Sequence, residues 1–517
     1  MDKKQVEHMN QRLCIGIQKL TQDWENILND LGLWFEEIEY SSKLLTQYSL
    51  LILNEAPNSA EIPLLNNYLI EGGALLELKD VHAFTNKEET RTTFKKTVID
   101  RSQSEAFHHI PFLDLYCSID LHQRSKIFNG MVYFEKNKHG VLGFLGVDLP
   151  KVLRSTQYKR KRFYAGDMRS PDEIVSAVSK HELLEVFRAT IAHLHYEREL
   201  PFNTKWTSPT EKPIFCFRID SDFGDKTSLK NLYDLCSKHD IKATWFLHVE
   251  AHENWLDVFQ SYENQEIALH GYKHGTSNSS VKTYCNIKKG NELLESSKFR
   301  SGGYCAPYGI WNNSLKKALS DFDFKYTSEF TFKYDGFPIT SSAADNRLQI
   351  PIHPICTGSL NRCHYDKDQM SRYFNQVIEN KTSRFEPILF YHHPMQSGID
   401  VIEQIFKEIN KKGFKNLTFS EYADFWIKRK KNTFEAYYDG ITMEINSNNS
   451  QIFQASTDHQ GFHLLQAEAD QFDLNTIPRN EYRSRDLPSY KKIEEMHTTD
   501  LRLLKTSLWD WKNRIRL

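Results

Sequence analysis

The sequence predicts an α/β protein of several domains built on parallel sheets, and three observations predict it. Short continuous apolar runs recur between amphipathic helical stretches, the pattern of strands buried on both faces of a parallel sheet. Carboxylates and imidazoles gather where two of those runs end, at Asp220, Asp222, His270 and His274, and parallel α/β scaffolds place their sites at strand ends. Beyond Lys430 the pattern becomes apolar-polar alternation, with Gly440 and the polar run Asn446 to Asn449 as turns, which predicts a small antiparallel β-module. At 517 residues the chain is too long for one ordinary domain.

Taken in order, Leu13 to Ile17 is a short strand, and Trp24, Ile27, Leu28 and Leu31 space a helix over Asp23 to Leu31. Trp34 to Ile38 and YSLLILN are strands, and a helix over Glu61 to Glu71 stops at Gly72-Gly73 before the strand ALLEL. The result is an open parallel α/β sheet, and YLIEGGALLEL resembles flavodoxin-like or glutamine-amidotransferase-like domains. That resemblance implies shape rather than activity. An amidotransferase needs a cysteine on a strand-to-helix turn, whereas Cys14 lies in a predicted strand and Cys117 lacks a glycine-flanked elbow. Residues 1–155 are therefore read as a non-catalytic domain, with His108-His109 and Glu88-Glu89 as solvated loop residues. Residues 102 to 153 are irregular except for a hairpin in GMVYFEKNKHGVLGFLGVDL.

Residues 156–205 read as a helical connector and linker. The basic run Lys159 to Arg162 is placed on a loop, Ser170 to Leu200 carries an apolar helical stripe, and PFNTKWTSPTEKP has the prolines of a linker. Residues 206–430 resume the α/β alternation, with helices at Leu229 to His239 and Ile287 to Ser296 and a strand at IKATWFLHV. Residues 431–517 hold the β-module and an amphipathic C-terminal helix with Leu504, Leu508, Trp511 and Ile515 on one side. Docking on the body is the ordinary reading of that helix, and a peripheral membrane contact is the alternative.

The chemistry concentrates in FRIDSDFGD and EIALHGYKH. Neutral imidazoles and a carboxylate bind a divalent ion such as zinc and leave positions open for water and substrate. His270 and His274 are four residues apart, so one helical turn or a tight loop aims both at one point. An Asp-x-Asp at a separate strand end strengthens this, because two buried carboxylates need a compensating charge; a helix cap is the ordinary alternative for one of them.

FRIDSDFGD, HGYKH, FRSGGYCAPYG and ILFYHHP stand in the order seen in polysaccharide deacetylases of the NodB-homology, carbohydrate esterase family 4 type, and the chain resembles that family over residues 206 to 430. The resemblance implies a distorted (β/α) barrel and metal-dependent removal of an N-acetyl or O-acetyl group from a sugar. It implies that Asp220 is the general base, that Asp222, His270 and His274 hold zinc, with cobalt or nickel as alternatives, and that backbone amides near Tyr308 face the oxyanion. A histidine of the last motif would protonate the leaving group; only one of His392 and His393 can face the site, and His393 is favoured because it precedes Pro394. The sequence departs from the family pattern in two places. Ser221 separates the acidic pair, with Asp225 as a third carboxylate nearby, and Cys305 stands where the third motif has an arginine, a charge that Arg300 is positioned in sequence to supply.

Composition narrows the partners. Net charge is −2, from 66 basic and 68 acidic residues, so nothing global points to nucleic acid or to an anionic membrane. No run of about 18 apolar residues predicts a transmembrane segment, and MDKKQVEHMNQRL lacks a leader's apolar region. Eight cysteines without paired spacing predict reduced thiols and a cytoplasmic enzyme, for which an acetylated glycan precursor suits better than a finished wall. Two alternatives stand beside deacetylation: a catalytically silent glycan-binding or assembly protein on the same scaffold, and a metal-dependent amidohydrolase on a non-sugar amide.

Overall fold

A computed structural model describes residues 10–137, 139–466, 471–498 and 501–514. The chain divides into two compact units, one of Met1–Leu153, Glu182–Glu211 and Ile427–Tyr482, the other of Arg154–His181, Lys212–Trp426 and Arg483–Leu517.

The first unit is built on a six-stranded sheet in the order Phe35–Glu37, Ile15–Ile17, Leu50–Leu53, Ala74–Leu78, Gly140–Leu145, Val132–Asn137. All neighbours are parallel except the final pair, where the predicted hairpin closes the edge in antiparallel register. This is the order of a doubly wound open sheet. Its helices obey local rules: Thr21 caps Gln22–Leu31 by accepting from the Trp24 N–H, and Gly32 ends it at φ 75°. Leu51, Leu53, Leu65, Tyr68, Leu69 and Leu75 fill one face of the sheet.

Elsewhere in this unit the structure corrects several expectations. The stretch read as irregular is in part a long antiparallel ribbon, Thr90–Ile99 with Phe112–His122. His109 is buried, and Glu89 pairs with His122 and Arg124, so neither is a solvated loop residue. The alternating strands beyond Lys430 form as predicted, but they split between two four-stranded sheets that recruit strands from far upstream: Gln11–Arg12 pairs with Phe434–Tyr438, and Phe202–Lys205 pairs with Ile452–Ser456. The start of the presumed linker is therefore a strand.

The second unit carries a curled, half-barrel sheet of nine strands. Its order is Ile339–Ser341, Arg347–Gln349, Tyr326–Thr327, Gly303–Tyr304, Glu266–Leu269, Ala243–Leu247, Ile214–Asp220, Ile388–His392, with Lys415–Asn416 joining the start of Ile214–Asp220. All pairs are parallel except the Ile339–Ser341 edge. The four sequence motifs follow strands of this sheet, so parallel pairing delivers them to the same rim.

The basic run is also corrected. Tyr158–Arg162 is a strand paired antiparallel with Asp172–Ser176, and the following helix starts only at Lys180. The β-branched Ile174 gains more from that pairing than from the helical stripe it was read into. Arg160 and Asp172 tie the hairpin's two strands together, and the hairpin packs on the half-barrel through Lys161 to the Tyr334 hydroxyl and Ser176 N–H to the Phe330 carbonyl. In the C-terminal helix Leu501–Arg514, the apolar side chains Leu501, Leu504 and Leu508 are exposed rather than docked; the Trp511 side chain and Ile515 lie outside the described residues. No helix among the described residues is long and apolar enough to cross a membrane.

Candidate metal centre

Strand alternation builds the acidic side of the site. Arg218 and Asp220 are two residues apart on Ile214–Asp220 and share a face. The guanidinium binds the carboxylate with both arms, Nε to Oδ1 at 2.6 Å and Nη2 to Oδ2 at 2.6 Å, and its third nitrogen donates to the Ser328 carbonyl at 2.8 Å. The pair is buried, with the Arg218 guanidinium 5.1 Å from the Phe246 ring centre and 5.7 Å from that of Tyr391. Burial alone would raise the Asp220 pKa, but Arg218, with His270 and His393, brings it below the ordinary carboxylate value.

Two residues further on, Asp222 turns out of the strand with φ 41°. Its Oδ1 is buried and has no hydrogen bond, yet the Nε2 atoms of His274 and His270 stand 3.0 and 3.5 Å from it. The loop holding those histidines folds back at Gly271, φ 90°, where an added side chain would also crowd Asn286. Asn286 fixes that loop, donating to the Lys273 carbonyl at 3.1 Å and accepting from the Lys273 N–H at 2.6 Å. His270 Nδ1 donates to the Cys305 carbonyl at 2.8 Å, which leaves its Nε2 lone pair on the Asp222 side.

These residues fit a divalent ion. The ligand atoms of Asp222, His270 and His274 lie within 4.8 Å of one another, two imidazoles and a carboxylate around an acceptor that nothing else satisfies. Asp220, His270 and Cys305 also come within 4.8 Å. That set fits less well, because each Asp220 oxygen already accepts from Arg218 and burial drives the Cys305 thiol pKa well above its usual range. Burial would raise the Asp222 carboxyl too, but His393, His270 and His274 hold it well below the carboxylate range.

The histidine brought to the carboxylates from the last motif is His393, whose Nε2 lies 3.6 Å from Asp222 Oδ2 and 3.9 Å from Asp220 Oδ2. Burial would lower its pKa, but Asp222, the Cys356 thiol and Asp220 outweigh burial and push it up to about 10. His392 turns away to the Thr357 hydroxyl at 3.1 Å, and burial with the neighbouring His393 pushes it down to about 3. Tyr308, at φ 59°, lines the same cleft with its ring edge-on to His274 at 4.8 Å. The Gly309 N–H is committed to the Ala306 carbonyl at 2.9 Å.

Two sequence candidates lie elsewhere. Arg300 is exposed, ahead of Gly303–Tyr304 and thus at the opposite end of that strand from the site; the guanidinium on Asp220 comes instead from Arg218, beside the Cys305 thiol on the shared Ser328 carbonyl. Asp225 caps the helix Lys226–Lys238 by accepting from the Ser228 N–H.

Other residues of the site had no role in the sequence reading. Glu173, from the unforeseen hairpin, lines the cleft and accepts from Arg362 at 2.7 Å. Cys356 meets His393, and His248 and His252 stand behind Asp222. For the last two a signal existed: they follow the strand Ala243–Leu247 with the same four-residue spacing as His270 and His274 after Glu266–Leu269. The cleft encloses about 490 Å³, with Phe223, Tyr308, Phe330 and Tyr391 in its walls.

Among solved structures the chain is similar to peptidoglycan deacetylase PdaC from Bacillus subtilis, at 15% identity and TM-score 0.31, covering 43% of this chain and 94% of that one. It is also similar to a CE4 family pseudoenzyme from Bacillus anthracis, at 16% identity and TM-score 0.32, covering 51% and 89%. A third is the CE4 domain of a multidomain xylanase from the hindgut metagenome of Trinervitermes trinervoides, at 14% identity and TM-score 0.30, covering 42% and 91%. At such scores these likenesses carry no weight of their own. No curated protein matches the chain. Residues 213–327, which hold Asp220, Asp222, His270, His274 and Tyr308, match the polysaccharide deacetylase family, so this stretch is a deacetylase-type domain and, with its ligand cluster, supports metal-dependent deacetylase-type chemistry.

Proposed function

We propose that the protein is a hydrolase that removes an acetyl group from an N-acetylated sugar, or from an O-acetylated one, in a glycan or glycan precursor. The observation that carries this is the convergence of Asp222, His270 and His274 on one buried acceptor, with Asp220 and His393 at its edge. A divalent ion held by those three residues, with zinc preferred over cobalt or nickel, would supply Lewis acidity at the acetyl carbonyl.

The chain's own residues do the rest. Asp220, kept ionised by Arg218, takes the proton of the attacking water. Tyr308 presents its main chain to the developing oxyanion. His393, protonated at neutral pH by its carboxylate neighbours, gives its proton to the departing nitrogen or oxygen. Phe223, 67% exposed at the mouth, offers a face for a sugar ring.

The silent-scaffold alternative was motivated by Cys305 in the arginine position, and the Arg218–Asp220 pair weakens that motive. The first unit would be a non-catalytic companion with a flavodoxin-like sheet. Eight free thiols favour a cytoplasmic enzyme acting on a precursor. Acetate release from a panel of N-acetylated glycans, glycan precursors and simple amides, with zinc, cobalt or nickel added, is the test. Release from a sugar substrate with any metal supports the proposal; release from non-sugar amides alone, or from nothing, sinks it.

A further inference from the structure

Ser221 divides the acidic pair, and the structure shows what it does there. Its hydroxyl accepts from the main-chain N–H of His248 at 2.9 Å and bonds His252 Nε2 at 2.8 Å, while its own N–H donates to the Phe246 carbonyl at 3.0 Å. His248 then reaches over the next residue: its Nδ1 lies 2.8 Å from the Asp222 carbonyl. A carbonyl only accepts, so Nδ1 carries the hydrogen. Ser221, His248 and His252 are all buried.

The residue they grip is the one that needs gripping. Asp222 sits at φ 41°, in the left-handed region that residues with a side chain enter only at a cost. Its carboxylate must nevertheless stay within about 0.5 Å of its working position to serve as a ligand. His248 stands outside the set of converging ligand atoms, which Asp222, His270 and His274 make up, and its Nδ1 is spent on main chain.

Resting on the metal-centre reading above, we propose that Ser221, His248 and His252 are positioning residues, a clamp that holds the Asp222 main chain in its left-handed turn and so sets the affinity of the site for its cation. The two His-x-x-x-His pairs on neighbouring strands then divide the work. His270 and His274 present nitrogens to the ligand carboxylate, and His248 and His252 immobilise the backbone beneath it.

Cobalt(II) titration of the full-length protein, followed by its visible absorption and with circular dichroism as a check of folding, tests this without a substrate. His248→Asn keeps a donor near the place of Nδ1, and His248→Leu removes it. Wild type and His248→Asn are expected to bind cobalt alike, and His248→Leu about 10–100-fold more weakly with an altered absorption envelope, the usual cost of losing a group that orients a ligand. Cobalt binding by folded His248→Leu at wild-type affinity overturns the clamp, as does equal weakening by both substitutions. Should His248→Leu not fold, Ser221→Ala replaces it: a loss of about tenfold or more supports the proposal, and unchanged affinity overturns it. A wild-type protein that takes up no cobalt overturns the metal centre itself, a result that no comparison between variants can mimic.

Discussion

Each unit of the chain places a carboxylate with a buried oxygen at or just beyond the C-terminal end of a parallel strand, and the two are used in opposite ways. In the first unit Glu77, near the end of Ala74–Leu78, spends both oxygens on main chain: Oε1 accepts from the N–H groups of Ala83 at 2.7 Å and Phe84 at 2.8 Å, and Oε2 from that of Thr85 at 2.7 Å. In the second unit Asp222 keeps a buried Oδ1 that no donor satisfies, and two imidazoles are aimed at it. Strand ends therefore supply the place and not the chemistry. A carboxylate whose lone pairs are consumed ties down a loop, and one left open among nitrogen ligands is poised for a cation.

The largest way to sharpen that contrast is to empty the second site. Chelation or Asp222→Asn should bring acetate release to background, with zinc or cobalt restoring the chelated wild type but not the variant. Activity that survives exhaustive chelation would place the chemistry outside the cluster. Next, Asp220→Asn and His393→Ala should each lower turnover by about 10²–10⁴, the range for a lost acid or base, while cobalt uptake persists. Full turnover in both variants on a true substrate would remove their assigned roles.

Arg218 and Glu329 test whether the ground beneath the open carboxylate is held by charge. Arg218→Met leaves Asp220 buried without its partner and should cost about 3–5 kcal/mol in urea unfolding, together with the base's activity. A variant within about 1 kcal/mol of wild type would show that Asp220 finds another partner. Glu329 accepts from the Ala306 N–H at 3.0 Å, in the turn before Tyr308. Burial, only partly offset by that bond, pushes its pKa up to about 7 from 4.5. The folded form therefore holds a proton that the unfolded chain has released between these values. The stability associated with it is complete below about pH 4.5 and is lost as pH rises through 7, a difference of about 3 kcal/mol. Glu329→Gln should flatten that fall and unfold later than wild type at pH 8; parallel curves would show the carboxyl ionised throughout.

What was legible follows from how local each signal is. Leu50–Leu53 and Ala74–Leu78 announce themselves by continuous apolar residues, and the tips at Asp220 and His270 by polarity just where those runs stop. Phe202–Lys205 was hidden because its partner, Ile452–Ser456, lies far along the chain and its own residues carry little periodicity. Arg300 was chosen for closeness in sequence, yet a residue before a parallel strand lies at the end opposite to one that follows it, so strand direction alone argued against it. Arg218 was equally readable, two residues before Asp220 and therefore on its face. The Asp222 turn depends on φ, which no spacing encodes, and the spacing of His248 and His252 marks the pair without telling that it grips main chain.

The smallest predicted effect is the most discriminating for the comparison itself. Glu77→Gln keeps the shape of the side chain but replaces one acceptor oxygen by an amide that faces main-chain donors, leaving at least one buried N–H unsatisfied. That should cost about 1–3 kcal/mol of stability in urea unfolding. Cobalt uptake and acetate release should be unchanged, because the Glu77 oxygens serve only the Ala83–Thr85 loop. The mirror substitution Asp222→Asn should abolish cobalt uptake and, because it removes the carboxylate that faces His393, His270 and His274, should lower the stability of the metal-free protein as well. A loss of cobalt in Glu77→Gln, or cobalt uptake that survives Asp222→Asn, would mean that the two carboxylates do not differ in the way their surroundings indicate.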